Sequence, residues 1–158
     1  MKNKIPILEA RNLRVERAGV TILDVPALKV SEAEVLSLIG PNGAGKTTLL
    51  VSLCHLFKNV SGNIFFTGRE VGKDLSVSEY RKRYAMVFQE PLLFNMTVFE
   101  NVAAGLKFRR MGKEEIEEAV KENLERFGIR HLKDRSARTL SGGEAQRVAL
   151  ARAFAVKP

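Results

Sequence analysis

Apolar and polar residues alternate near the start of the chain, and the stretches Ile7 to Val15 and Val20 to Val25 read as two strands separated by a turn at Gly19. Ile64-Phe65-Phe66, between Ser61-Gly62 and Gly68, predicts a further strand and turn. Val35-Leu-Ser-Leu-Ile39 does not alternate; it is a short apolar run rich in β-formers and bounded by Gly40, the pattern of a buried parallel strand. Tyr84-Ala-Met-Val-Phe88 is another such run. From Thr47 to Phe57 apolar residues recur at helical spacing. Past Gln89 the character changes, and Thr97 to Arg110 and Lys113 to Phe127 predict helices, broken at Gly112 and ending before Gly128. The second is amphipathic: Ile116, Ala119, Val120, Leu124 and Phe127 share one side, while Glu117/Lys121 and Glu122/Arg126 form i,i+4 pairs on the other. A last helix starts at Ser141, with Val148, Ala151 and Ala155 on one face. The order predicts an α/β chain, without internal repeats or low-complexity linkers.

Composition narrows the setting. The chain has 158 residues, 28% of them charged, which is enough for one core of ordinary density. No stretch is long and apolar enough to cross a bilayer, and Met1-Lys-Asn-Lys leads into a segment carrying Glu9 and Arg11 rather than a signal peptide. The single cysteine, Cys54, reads as a small buried hydrophobe, so neither disulfides nor a metal cluster is expected and the predicted setting is cytosolic. A formal charge of +8 raises nucleic acid or an anionic membrane as partners. The basic residues of the helical half, Arg109, Arg110, Arg126, Arg130, Lys133, Arg135 and Arg138, lack interleaved aromatics and read as a solvated face, so no nucleic acid is expected.

The chemistry begins where the first apolar run ends. Gly40-Pro41-Asn42-Gly43-Ala44-Gly45-Lys46-Thr47, followed by Thr48, fits the phosphate-binding spacing G-x-x-x-x-G-K-[ST] between a predicted strand and a predicted helix. The glycines let the backbone turn successive N–H groups into one concavity, to which the helix adds its positive end. Lys46 would reach the β- and γ-phosphates, and the Thr47 hydroxyl would hold Mg²⁺.

Leu140-Ser141-Gly142-Gly143-Glu144 is the second motif. Ser141 followed three residues later by Glu144 is a capping box. A cap needs no paired glycines, however, and Gly142-Gly143 strip side chains from a helix start that offers free N–H groups to an anion. The motif predicts a second phosphate site.

With these residues in place the chain resembles the ATP-binding cassette (ABC) family, whose signature is the same Leu-Ser-Gly-Gly-Glu/Gln leading into Gln146-Arg-Val-Ala-Leu-Ala-Arg152. The resemblance implies an α/β fold of the P-loop NTPase kind with an ABC-type antiparallel β-layer and a helical subdomain. On that reading residues 1–34 form the β-layer, 35–90 the P-loop core up to the Q-loop, 91–139 the helical subdomain, and 140–158 the signature and its helix. Gln89, followed by Glu90-Pro91, resembles the Q-loop glutamine that contacts Mg²⁺ and the attacking water. ATP and Mg²⁺ are the implied ligands, a second ATPase subunit in a head-to-tail homodimer and transmembrane permease subunits the implied partners. The location implied is the cytoplasmic face of the cell membrane. Leu92-Leu-Phe-Asn-Met-Thr-Val98 is apolar for a loop: either it packs under the subdomain or it forms a docking groove for a permease helix.

The family also brings expectations about what this sequence lacks. An apolar strand ending in Asp-Glu and a later His follow the signature helix in cassettes, and residues up to Pro158 do not contain them. The chain therefore reads as a cassette incomplete at its C-terminus, able to bind nucleotide, slow to hydrolyse it, and prone to aggregate through an unpaired sheet edge. Ala18 stands where cassettes carry an aromatic ring against adenine, which predicts similar affinity for ATP and GTP, with Val20 as a substitute contact. Three functions remain open: a transporter ATPase, with wording closest to importers of tungstate, molybdate or phosphate; a soluble ABC ATPase of translation or DNA repair; and a noncatalytic nucleotide-binding remnant. The short span from Gln89 to Ser141 has no room for a long coiled coil, which counts against the second.

Overall fold

The computed structural model describes residues 5–57 and 59–158. It divides into two compact units, residues 1–84 and 85–158.

In the first unit, β1 (Leu8–Arg17), β2 (Val20–Val30), β3 (Val60–Phe66) and β4 (Arg69–Glu70) form one antiparallel sheet in the order β2-β1-β3-β4. The β1–β2 connection is a two-residue turn, Ala18-Gly19, with φ of 50° and 77°. That double left-handed geometry matches the twist of a hairpin and keeps Arg17 paired with Val20. One face of β1 carries Ala10, Leu13 and Val15, all buried. Strict alternation would turn Asn12 rather than Leu13 inward. The chain solves this with an irregularity in the β1–β3 register between Arg11 and Arg14, where Asn12 takes φ 50° and absorbs the extra residue.

Helix α1 (Lys46–Leu53) and the five-residue α2 (Val77–Arg81) complete this unit. Leu49 and Leu53 of α1 pack with Ala10, Leu13, Ile64, Val71, Leu75 and Tyr80 in its core. The predicted helix to Phe57 stops at Leu53, because His55 adopts φ 55° and its N–H bonds Ser52 O (2.8 Å) while Leu56 N–H bonds Val51 O (3.1 Å). This paired closure satisfies the last carbonyls and reverses the chain.

The expected parallel strands are the main correction. Residues 35–39 pair with no strand among the described residues, and Val35 and Ile39 are 92% and 95% exposed. Only Leu38 of that run packs against the core. Residues 84–88 likewise join no sheet. An apolar β-rich run becomes a buried strand only when neighbours cover its edges and both its faces.

The second unit is helical: α3 (Val98–Phe108), α4 (Lys113–Arg126) and α5 (Gly142–Ala155), with short 3₁₀ turns at Arg130–Leu132 and Ala137–Thr139. Each helix begins with a glutamate three residues past its cap accepting a bond from the cap's backbone N–H, as Glu100 does for Thr97, Glu115 for Gly112 and Glu144 for Ser141. Helix α4 ends at Arg126 with Phe127 as its C-cap, and Gly128 (φ 67°) reverses the chain so that Ile129 packs back into the core. Val98, Val102, Leu106, Val120, Leu124, Ile129 and Val148 are among the side chains of that core. No helix is long and apolar enough to cross a membrane among the described residues.

Candidate nucleotide-binding site

The loop Gly40–Thr48 runs from the unpaired stretch 35–39 into α1. Gly43 and Gly45 adopt φ of 85° and 86°, a region that side chains disfavour, and Pro41 O accepts a turn bond from Ala44 N–H (3.3 Å). Gly45 leans on β2: a Cβ there would touch Leu23 Cδ1 at 3.4 Å and Ile22 O at 3.6 Å. Pro41, Asn42, Gly43, Ala44 and Thr47 are exposed, while Gly45, Lys46 and Thr48 are half-buried. The Lys46 ammonium donates to the carbonyl oxygens of Gly40 and Pro41, both at 2.7 Å, so the lysine closes the loop over its own concavity.

In its first turn α1 differs from the other α-helices among the described residues. Helices α2, α3, α4 and α5 each place a glutamate at the third residue of the first turn, namely Glu79, Glu100, Glu115 and Glu144. Helix α1 shares its uncapped glycine start and leading lysine with α4, but where α4 has Glu114 and Glu115 in the first turn α1 has no acidic residue to offset Lys46. A positive side chain against the positive end of a helix dipole is unfavourable by roughly 0.3–1 kcal/mol at an exposed site. This arrangement suits an anion supplied from outside, held by first-turn amides and the lysine together. The exposed Thr47 hydroxyl beside the loop is a hard oxygen ligand of the sort Mg²⁺ takes, with phosphate oxygens and waters filling the remaining positions. Among the described residues no cluster of three His, Cys, Asp or Glu side chains could hold a metal ion without phosphate.

The second predicted anion site lies in the other unit. Ser141 caps α5 as its spacing predicts: its backbone N–H and hydroxyl donate to Glu144 Oε2 at 2.7 and 2.8 Å, and its oxygen accepts from Glu144 N–H at 3.4 Å. The backbone N–H of Ser141, then its hydroxyl, hold the Glu144 carboxyl below the usual carboxylate range, against a smaller opposing effect of burial. Gly142 and Gly143 are exposed, and a Cβ on either would meet nothing within 4 Å. Neither takes a left-handed φ. The fold thus gives no reason for glycine at these two positions.

Gln89 is exposed at a bend in the second unit, after the unpaired residues 84–88. Gly40 to Thr48 are brought together in the first unit; Gln89 and Ser141 to Gly143 belong to the second. Ala18, at the place expected for an adenine contact, is half of the β1–β2 turn, and Val20 beside it is 62% exposed.

A polar clamp escaped the sequence reading. Asn101, fully buried on α3, accepts from Phe94 N–H (2.8 Å) and donates to the carbonyl oxygens of Phe94 and Thr97, both at 3.0 Å. Arg152 of α5 donates to Leu92 O (2.8 Å), with its guanidinium 5.4 Å from the Phe94 ring centre. Together they hold residues 92–97 with Leu92 and Phe94 more than half exposed while Val98 is buried. The apolar loop is therefore split between the two expectations: Leu93 and Val98 pack inward, whereas Leu92, Phe94 and Met96 face out.

Comparison with known proteins supplies the family. Residues 23–158 match the family described as ABC transporter. The chain is 42% identical over 147 residues to the tungstate uptake system ATP-binding protein TupC of Peptoclostridium acidaminophilum, covering 93% of this chain and 66% of that protein. It is 39% identical to the spermidine/putrescine import ATP-binding protein PotA of Spiroplasma citri, covering 96% of this chain and 43% of that one. Among solved structures, cbiO1 from Clostridium perfringens, part of the ABC transporter complex cbiONQ, superposes with a TM-score of 0.82 at 31% identity, over 97% of this chain and 62% of its own. The chain thus spans between about two fifths and two thirds of the length of these relatives. The match over residues 23–158 and these likenesses, with the antiparallel sheet and the helical unit beside them, show that the chain belongs to the ABC transporter family.

Proposed function

We propose that this chain is the ATP-binding part of a membrane importer, working as a head-to-tail pair in which Gly40–Thr48 of one copy and Ser141–Gly143 of the other close on one ATP. The observation that carries the reading is the start of α1, where a lysine and no carboxylate meet the helix dipole above two left-handed glycines. Lys46 would exchange the carbonyls of Gly40 and Pro41 for phosphate oxygens. Thr47 would bind Mg²⁺, and Gln89 would complete the metal site and orient the attacking water. The clear space over Gly142 and Gly143 supports the second half-site, because only something outside the fold gains from bare amides there.

Transfer of the terminal phosphoryl group to water relies on positioning and charge rather than on covalent chemistry by the protein. Residues 1–158 contribute Gln89 as the candidate catalytic group, so by themselves they would bind nucleotide and turn it over slowly. Permease subunits would dock on the exposed Leu92, Phe94 and Met96, placing the domain on the cytoplasmic face of the membrane. An inorganic oxyanion is the cargo class we favour, on the likeness to the tungstate protein. A soluble role in translation or repair finds no support in the relatives described above, whose names speak of uptake and import.

Titration with a fluorescent ATP analogue tests the first site: Lys46→Ala should weaken binding by a hundredfold or so, on the order of 3 kcal/mol for charge-assisted bonds to phosphate. Unchanged affinity would sink the assignment. The same titration with a GTP analogue should give a similar constant, because Ala18 offers no ring for stacking.

A further inference from the structure

Arg135 lies in the segment between α4 and the paired glycines, and its surroundings fix it closely. Its carbonyl accepts from Val98 N–H (3.0 Å) at the start of α3, and its own N–H donates to Leu132 O (2.9 Å). The side chain is tied down as well: Nε donates to Thr139 Oγ1 at 3.1 Å and Nη2 to Thr139 O at 2.9 Å. The remaining nitrogen, Nη1, stands 3.6 Å from Glu144 Oε1. One carboxylate oxygen of Glu144 therefore serves the Ser141 cap and the other faces the guanidinium.

This geometry answers an electrostatic difficulty. Glu144 directly follows Gly143, so a triphosphate approaching the amides of Gly142 and Gly143 meets a full negative charge within the same helical turn. Unopposed, that charge would repel the ligand. Arg147 also acts on Glu144, but less than Arg135 does.

We infer that Arg135 is a positioning residue for the Gly142–Gly143 anion site, cancelling the charge of the capping carboxylate so that Glu144 can organise the helix start without repelling phosphate. The inference rests on the reading of those glycines as a phosphate site, and its test separates the two. Sedimentation velocity follows self-association of the full chain with Mg²⁺ and a non-hydrolysable ATP analogue. Arg135→Gln should weaken the dimer about five- to twentyfold, since an exposed pair contributes modestly and acts twice per dimer. Glu144→Gln keeps the capping box, leaves Arg135 unopposed and should tighten the dimer by a similar factor. The decisive arm is the double variant, which removes both charges and should associate within about twofold of the unaltered chain. Arg135→Lys retains the charge and should associate much as the unaltered chain does.

Arg135→Gln without effect overturns the inference. So does a double variant that associates as weakly as Arg135→Gln alone, since the loss would then owe nothing to the charge of Glu144. Gly142→Asp is the control on the underlying reading, because it sets a carboxylate on the amides themselves. If it leaves association intact, or if the unaltered chain shows no nucleotide-dependent association, the half-site fails and the role of Arg135 goes with it. If Gly142→Asp abolishes association while Arg135→Gln does nothing, only the role of Arg135 is lost.

Discussion

Gly62 shows how closely one residue can be specified. It takes φ 94° opposite the β1 irregularity, and a Cβ there would lie 2.2 Å from Asn12 O, a backbone atom that cannot rotate away. Gly62→Ala should destabilise the first unit by roughly 2–4 kcal/mol, the range for overpacking combined with backbone strain. A urea midpoint matching that of the unaltered chain would refute this. Asn101 has the opposite character, being specified by what its side chain holds. Asn101→Ala removes the amide that satisfies Phe94 and Thr97 and should destabilise the second unit by about 2–3 kcal/mol, read by chemical denaturation. Both roles were hidden in the sequence, because a glycine beside an apolar run and an asparagine in a helix look ordinary until the opposing backbone is in place. The Ser141 cap was legible for the converse reason: its partner, Glu144, lies three residues along the chain.

Elements were predictable to the extent that they carry their own instructions. Helices α3, α4 and α5 announce themselves by periodic apolar faces and a glutamate in the first turn; α3 and α4 lie within two residues of their sequence-based limits, and α5 starts one residue past its expected cap. Helix α2 carries the same signal, Ser76 and Glu79, and was overlooked because five residues are too few to show a period. The runs 35–39 and 84–88 failed as strands since a strand depends on neighbours that its own composition does not supply. The capping boxes have a measurable pH signature. Glu79 is held below the ordinary carboxylate range chiefly by the Ser76 hydroxyl, and Glu100 and Glu144 chiefly by the N–H groups of Thr97 and Ser141. Because the folded values are depressed, this stabilisation is complete above the ordinary carboxylate pKa and disappears as pH falls through the folded values. Urea midpoints should therefore decline on acidification below about pH 4.5, and Glu100→Gln should flatten that decline.

At the scale of the molecule, two cores with separate membership make each unit a candidate for independent folding. Residues 85–158 expressed alone should show a helical circular dichroism spectrum and a cooperative thermal transition; a random-coil spectrum would contradict this. The first unit carries the aggregation hazard, with Val35 and Ile39 almost fully exposed and Leu50, Leu56 and Phe57 each at least 40% exposed. Replacing Val35 and Ile39 with lysine should lower light scattering in concentrated samples and leave nucleotide binding intact. The bare start of α1 has a last implication, for anyone wishing to harden the chain against heat. Thr48 occupies the position that glutamate fills in the other helices. Thr48→Glu would give α1 a built-in counter-ion and raise its melting temperature, yet the better-mannered helix would no longer answer to ATP. On the reading proposed above, α1 goes without that counter-ion so that a phosphate can supply it.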